Sequence, residues 1–157
     1  MITGNLSEQP LAAEIEAFDA AAILGGKFDR SELTLEIAPA KIASVCGFLK
    51  HELKFVRLSG ITAVDRYPAD PRFEIVYHLH SVERNQRLRL KCRVGGEQPE
   101  IDSVTSVWRG ANWYEREVFD LFGVRFAGHP DLRRILLPDD WEGAPLRKDY
   151  PITGFRV

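Results

Sequence analysis

Apolar residues recur at helical spacing early in the chain, at Leu11, Ile15, Phe18 and Ala22, with Ser7 placed to cap the N-terminus. Gly25-Gly26 reads as the stop of that helix. Leu33, Leu35 and Ile37 then alternate with Thr34 and Glu36, the period-two mark of a half-buried strand. Pro39 fits the first turn of a second helix, where its missing N–H costs little. Ile42, Val45, Cys46, Leu49 and Leu53 give that helix one apolar stripe. Phe55 to Val64 reads as a strand closed by a Pro68 to Pro71 loop. Phe73, Ile75, Tyr77 and Leu79 alternate with Glu74, Val76, His78 and His80. Leu88, Leu90, Cys92 and Val94 alternate with Arg87, Arg89, Lys91 and Arg93, and the polar run Glu83 to Gln86 between the two stretches suits a hairpin. Ser103 to Gly123 reads as mainly helical with a break near Gly110, which puts the last helix at about 111–123.

From His129 onward the periodicity ends. Pro130, Pro138, Pro145 and Pro151 exclude a long helix or an inner strand, while Trp141, Tyr150 and Phe155 argue against a disordered tail. The pattern therefore predicts one domain over residues 1–137 and an extended arm over 138–157 that needs a surface to lie on. Trp141, Tyr150 and Phe155 are the expected anchors of that arm on a partner, with Arg147 and Lys148 setting register.

Composition narrows the classes. With 157 residues, 45% hydrophobic and 28% charged, the chain is long and apolar enough to bury a core. A formal charge of −2 disfavours a free nucleic-acid binder. No apolar run approaches the ~20 residues of a membrane helix, so no direct membrane insertion is expected. The first ten residues lack the basic and apolar regions of a secretory signal, so none is expected either. Cys46 and Cys92 lie far apart in sequence, which fits a reducing compartment and leaves no four-thiolate iron–sulfur or zinc site within this chain.

The common catalytic patterns are missing: there is no G-x-G-x-x-G, Walker A loop, H-E-x-x-H or G-x-S-x-G. His78 and His80 share one strand face and could pair on a metal, but no Cys or carboxylate pair accompanies them, and a hairpin surface is the simpler home. Arg87, Arg89, Lys91 and Arg93 put four cations on one side of a strand. That stripe reads as a solvated face or a docking face for an acidic partner; without interleaved aromatics it does not read as nucleic-acid recognition.

The densest cluster runs from Trp113 to Gly123. On a helix, Tyr114, Val118, Leu121 and Phe122 form an apolar side, and Arg116, Glu117 and Asp120 gather opposite, with Arg116 at i, i+4 from Asp120 and able to neutralise it. Arg133 and Arg134 follow. Close carboxylates can serve acid–base chemistry, but this balance of charges reads better as a structural ion network tying helix, loop and arm. No nucleophile or phosphate cradle accompanies it, so no catalytic, cofactor-binding or metal-binding residue is assigned.

Glu115-Arg116-Glu117, Asp120-Leu121-Phe122, His129, Arg133 and Ile135-Leu136 fall in the spacing E-R-E-x-x-D-Φ-Φ-x6-H-x3-R-x-Φ-Φ. With Ser103 to Trp108, Ala111 to Tyr114, Gly128 to Leu136 and Pro138 to Pro151, this resembles the 30 kDa-subunit family, the C subunits, of bacterial proton-translocating NADH:quinone oxidoreductase, respiratory complex I. The resemblance spans Phe73 to Pro151; the first seventy residues share only the general layout.

The resemblance implies an α+β fold, with helices on a small mixed or antiparallel sheet and the C-terminal arm running out over a partner. It implies a structural and assembly subunit of the peripheral arm, held against the quinone-site D subunit above all and against the iron–sulfur B and I subunits. In such a heteromultimer this chain binds no cofactor; NADH, FMN, iron–sulfur clusters and quinone belong to the assembly, on the cytoplasmic face of the inner membrane. Catalysis then belongs to the complex, not to the isolated chain. The equivalent subunit of a membrane-bound hydrogenase or a ferredoxin-fed complex is the first alternative, and a stand-alone RNA-binding module is the second.

Overall fold

The computed structural model describes residues 6–155. Residues 1–5 of the expected domain and 156–157 of the expected arm lie outside the described residues. A short 3-10 turn, Leu6–Glu8, leads into α1 (Pro10–Phe18). Strands β1 (Ile23–Asp29) and β2 (Glu32–Ile37) form a hairpin, and α2 (Ile42–His51) follows. Then come β3 (Arg57–Asp65), β4 (Phe73–Ser81), β5 (Gln86–Val94), the short β6 (Glu100–Asp102), α3 (Ala111–Phe122) and β7 (Arg125–Ala127).

The main sheet has the order β1-β2-β5-β4-β3, mixed because only β2 and β5 run parallel. Its register puts every alternating apolar residue on one face: Leu35 stands opposite Leu90, Leu90 opposite Tyr77, and Tyr77 opposite Ile61. All four are at most 4% exposed, in one cluster with Ile15 of α1 and Ile42, Val45, Cys46 and Leu49 of α2. β6 and β7 pair in parallel beside this sheet. The α+β class expected from the resemblance is the class of the structure.

The other face of the sheet is polar. Glu74, almost fully buried there, gathers Lys91 at 2.9 Å, Arg66 at 3.1 Å and Arg93 at 3.6 Å. Burial pushes its carboxyl up, but Lys91 and Arg66 prevail and hold it below its ordinary value. Arg89 reaches Glu32 at 2.7 Å. Part of the cation stripe on β5 is thus neutralised within the sheet.

Four local expectations are corrected. α1 ends at Phe18, because the Asp19 carboxylate takes the Ala21 N–H and pairs with Lys41 at 2.8 Å; Ala22 is buried but lies beyond the helix. Its N-cap is Gln9 ahead of Pro10, while Ser7 belongs to the preceding 3-10 turn. Gly25-Gly26 stops no helix; both lie inside β1, where a Cβ on Gly26 would come within 2.6 Å of the Thr34 carbonyl oxygen. Finally, Ser103 to Gly110 forms turns, and helix begins only at Ala111.

Candidate functional site: the helix α3 junction

α3 ends where Gly123 takes φ +72, an αL cap whose N–H bonds the Phe119 carbonyl. The chain then forms β7, returns past His129 along α3, and folds across its C-terminal end. Three side chains on α3 organise that return.

Asp120 is the hub, with 0% exposure. Its Oδ1 accepts from Arg134 Nη1 at 2.7 Å, and its Oδ2 accepts the backbone N–H groups of Ile135 (3.1 Å), Leu136 (2.7 Å) and Leu137 (2.9 Å). Three successive amides converging on one oxygen make an anion nest. Burial raises the Asp120 pKa, but Arg134 and these amides outweigh it and hold the carboxyl below its usual range. The expected Arg116–Asp120 pairing is replaced. Arg134 neutralises Asp120, while Arg116 donates through Nε to the Arg133 carbonyl (3.1 Å) and through Nη2 to the Arg134 carbonyl (2.9 Å), its guanidinium lying over the Trp113 ring.

Glu115 points into the core on the helix side that sequence pattern had not marked as buried. Its Oε2 accepts from Ser103 Oγ at 2.6 Å and its Oε1 from the Val104 N–H at 2.7 Å. Burial pushes its carboxyl up to about 7 against these two donors. His129 Nε2 lies 4.0 Å from Glu115 Oε2 and donates to the Asn112 carbonyl, while Nδ1 accepts the Asp131 N–H; these partners assign the Nε2–H tautomer. Ser103 beside a carboxylate resembles an activated nucleophile, yet it is 8% exposed and also bonds Thr105. The arrangement ties the Ser103–Thr105 turn to α3.

Glu117 and Arg133, both assigned to the network from sequence, are exposed, and among the described residues the Arg133 guanidinium pairs with the neighbouring Asp131 alone. The arm also returns to its own domain. Leu146 N–H bonds the Leu121 carbonyl, Arg147 Nε donates to the Phe122 carbonyl at 2.6 Å, and the Arg147 guanidinium covers the Phe73 ring. Arg134 Nη2 donates to the carbonyls of Trp141 and Gly143. Lys148 N–H and Arg72 both bond Asp65, and Arg72 also holds Asp149 at 2.5 Å. Arg72 holds the Asp65 carboxyl far below its ordinary value. This Asp65–Arg72–Asp149 chain escaped sequence reading; the acid–base–acid order spans 85 positions, and no local pattern joins them.

An open cleft of about 390 Å³ lies between α3 and the arm, lined by Phe119, Asp120, Arg134, Arg147, Tyr150 and Phe155. Phe155 in its wall is 54% exposed, and elsewhere on α3 and the return loop Trp113 (59%) and Leu136 (63%) stand exposed. Tyr150 packs edge-on against Phe155, and among the described residues no acceptor reaches the buried Trp141 Nε1. No group of three His, Cys, Asp or Glu among the described residues forms a metal set. Both thiols are buried, with Cys92 pushed up to about 12. No helix among the described residues is long and apolar enough to cross a membrane.

Two solved structures share this architecture. The trypsin-resistant fragment (1–134) of Nqo5 superimposes with a TM-score of 0.67 at 30% identity, covering 78% of this chain and 96% of that one. A chain of the membrane-bound sulfane sulfur reductase, an archaeal respiratory membrane complex, gives 0.78 at 30% identity, covering 93% and 86%. The fold is thus one used by a component of a respiratory membrane complex. Residues 35–156 match the family described as respiratory-chain NADH dehydrogenase, 30 kDa subunit, and the chain belongs to that family.

Named relatives agree. The NADH-quinone oxidoreductase C subunit of Geobacter sulfurreducens is 50% identical over 136 residues, 86% of this chain and 84% of the relative. That of Roseiflexus castenholzii is 43% identical over 154 residues, 97% and 88%. The C 2 subunit of Rhizobium etli is 52% identical over 122 residues, 76% of this chain; the match spans 65% of that longer relative.

Proposed function

We propose that this chain is a cofactor-free structural and assembly subunit in the peripheral arm of a proton-pumping NADH:quinone oxidoreductase. Its main partner is the quinone-site D subunit, with the iron–sulfur B and I subunits beside it. NADH, FMN, the clusters and quinone are handled by those neighbours, and the complex sits peripherally on the cytoplasmic face of the bacterial inner membrane. One observation carries this reading: Asp120 draws the amides of Ile135, Leu136 and Leu137 inward while the side chains of Ile135 and Leu136 stay exposed, and Trp113 is exposed on the same helix as Asp120. A buried polar hub that presents apolar side chains outward is an interface support, because interface energy concentrates in such rigid apolar anchors. Glu115, Arg116, Asp120, His129 and Arg134 act here as positioning residues. Trp141, Tyr150 and Phe155 are the anchors of the arm, whose inner edge Arg147 fastens to the domain.

Gentle purification of the native complex through a tag on this chain, followed by mass spectrometry, tests the reading. Recovery of the D, B and I subunits in equal amounts is expected; recovery of the chain alone would overturn it. A second reading draws on the likeness to the sulfane sulfur reductase chain. In it the chain is the equivalent component of a related complex, such as a membrane-bound hydrogenase or a ferredoxin-fed enzyme. The electron donor accepted by the purified complex, NADH or another, separates the two.

A further inference from the structure

The open face of the sheet carries a groove of about 350 Å³ at the end of β4 away from Phe122, the last residue of α3, with Ser59, whose carbonyl accepts from Tyr114 of α3, on its wall. From Phe73, which packs against Phe122, to His80 in the groove is seven residues of strand, roughly 24 Å. In the groove Arg57, His80 and Arg87 stand opposite one another across β3, β4 and β5, and the next row along the same face adds His78 and Arg89. Adjacent strands lie ~4.8 Å apart, so Arg57 and Arg87 flank His80 from either side over about 10 Å. Arg89 has Glu32 as its partner. Arg57 and Arg87 are exposed, and neither has an acidic partner within ion-pair distance among the described residues. The groove is therefore lined by five basic side chains and one acidic one.

We propose that this groove is a second docking site, which takes an extended segment of a neighbouring subunit bearing two or more Asp or Glu side chains. The proposal rests on the reading of the chain as one component of a larger assembly. Charge complementarity carries it: two free guanidinium forks, rooted about 10 Å apart on long flexible stems, can close on two carboxylates of an extended strand, whose alternate side chains lie ~7 Å apart. Burial, and after it Arg89, press His78 below its ordinary pKa, so the groove's positive charge rests on its arginines. A nucleic-acid ligand fits less well, because no Phe, Tyr or Trp lines the groove to stack on a base.

The test uses the intact assembly, with a photo-crosslinking amino acid in place of Ser59 at the groove wall. The expected product joins this chain to one partner peptide containing at least two closely spaced acidic residues. The double variant Arg57→Glu/Arg87→Glu should cut that product roughly fivefold or more, and Arg57→Lys/Arg87→Lys should keep most of it, since attraction here is chiefly between charges. Both replaced arginines are exposed, so thermal melts of the isolated variant chains should match the parent and exclude unfolding as the cause. A crosslink to an apolar segment, RNA or lipid overturns the proposal. So does the absence of a crosslink when partner subunits co-purify. If no partner co-purifies with the unsubstituted chain, the reading as part of an assembly fails and the groove's occupant fails with it.

Discussion

Asp120 and Arg134 meet at 2.7 Å across the C-terminal end of α3, and both groups serve two segments at once. Asp120 collects the amides of residues 135–137, and Arg134 continues to the carbonyls of Trp141 and Gly143. A helix, a return loop and the start of the arm are therefore fixed by two side chains. The carboxylate is fully buried while the guanidinium keeps some contact with water.

Asp120→Ala should destabilise the isolated chain by about 3 kcal/mol, toward the lower end for a broken buried pair because Arg134 retains some solvent. Glu117→Gln and Arg133→Gln, both at exposed positions, should stay within about 0.5 kcal/mol of the parent. Urea unfolding of the three variants checks the contrast.

Glu115 makes stability depend on pH in an unusual sense. Its folded pKa of about 7 lies above the ordinary 4.5, so the folded state holds the proton more tightly than the unfolded state. That contribution is complete below about pH 4.5 and is lost as pH rises through 7, amounting to about 3 kcal/mol at most. Glu115→Gln removes the titration and leaves the other carboxylates in place. The variant and parent should be of similar stability at pH 4.5, and the variant should be the more stable at pH 8. Denaturant midpoints at the two pH values measure this; a parent that gains on the variant as pH rises would contradict it.

Gly123 sits at φ +72, and a Cβ there would lie 2.8 Å from Arg147 Nη2. Gly123→Ala should cost about 1–2 kcal/mol in backbone strain and push Arg147 from the Phe122 carbonyl. A lowered Tm together with faster proteolysis after Ala144 would register both effects.

What the sequence made legible follows from how local each cause is. β2, α2 and the β4–β5 hairpin were readable because Leu33 to Ile37, Ile42 to Leu49 and Phe73 to Val94 each carry one clean period. β1 was not, because an edge strand exposed on most positions shows little alternation, and its glycines answer to Thr34 across the hairpin. β6 and β7 are three residues each, too short for periodicity. In α3 the sequence marked Glu115, Arg116, Glu117 and Asp120 as one charged group, but not which of them the fold buries or what each one binds. Glu115 is buried only because the Ser103–Val104 turn supplies donors, and Asp120 pairs with Arg134 instead of Arg116 because the return loop arrives over it. Those facts belong to tertiary structure.

The arm's dependence on its own domain gives a graded expectation. Ending the chain after Leu137 removes Ala144 from the buried set but no side chain from the main hydrophobic cluster. The shortened chain should still melt cooperatively, with Tm lowered by roughly 5–10 °C through loss of the Arg147, Lys148 and Asp149 ties, and should lose co-purification with its partners. Circular dichroism and tag purification of the same protein decide both halves.

The central claim is that the α3 junction holds a docking surface and performs no chemistry, and the most direct measurement is NADH:quinone turnover per assembled complex in a Leu136→Asp variant. Leu136 is 63% exposed, so the fold should be unaffected while an apolar anchor becomes a charge. The expected result is several-fold less assembled complex, each unit turning over within about twofold of the parent. Normal assembly combined with a large drop in turnover per complex would contradict the account.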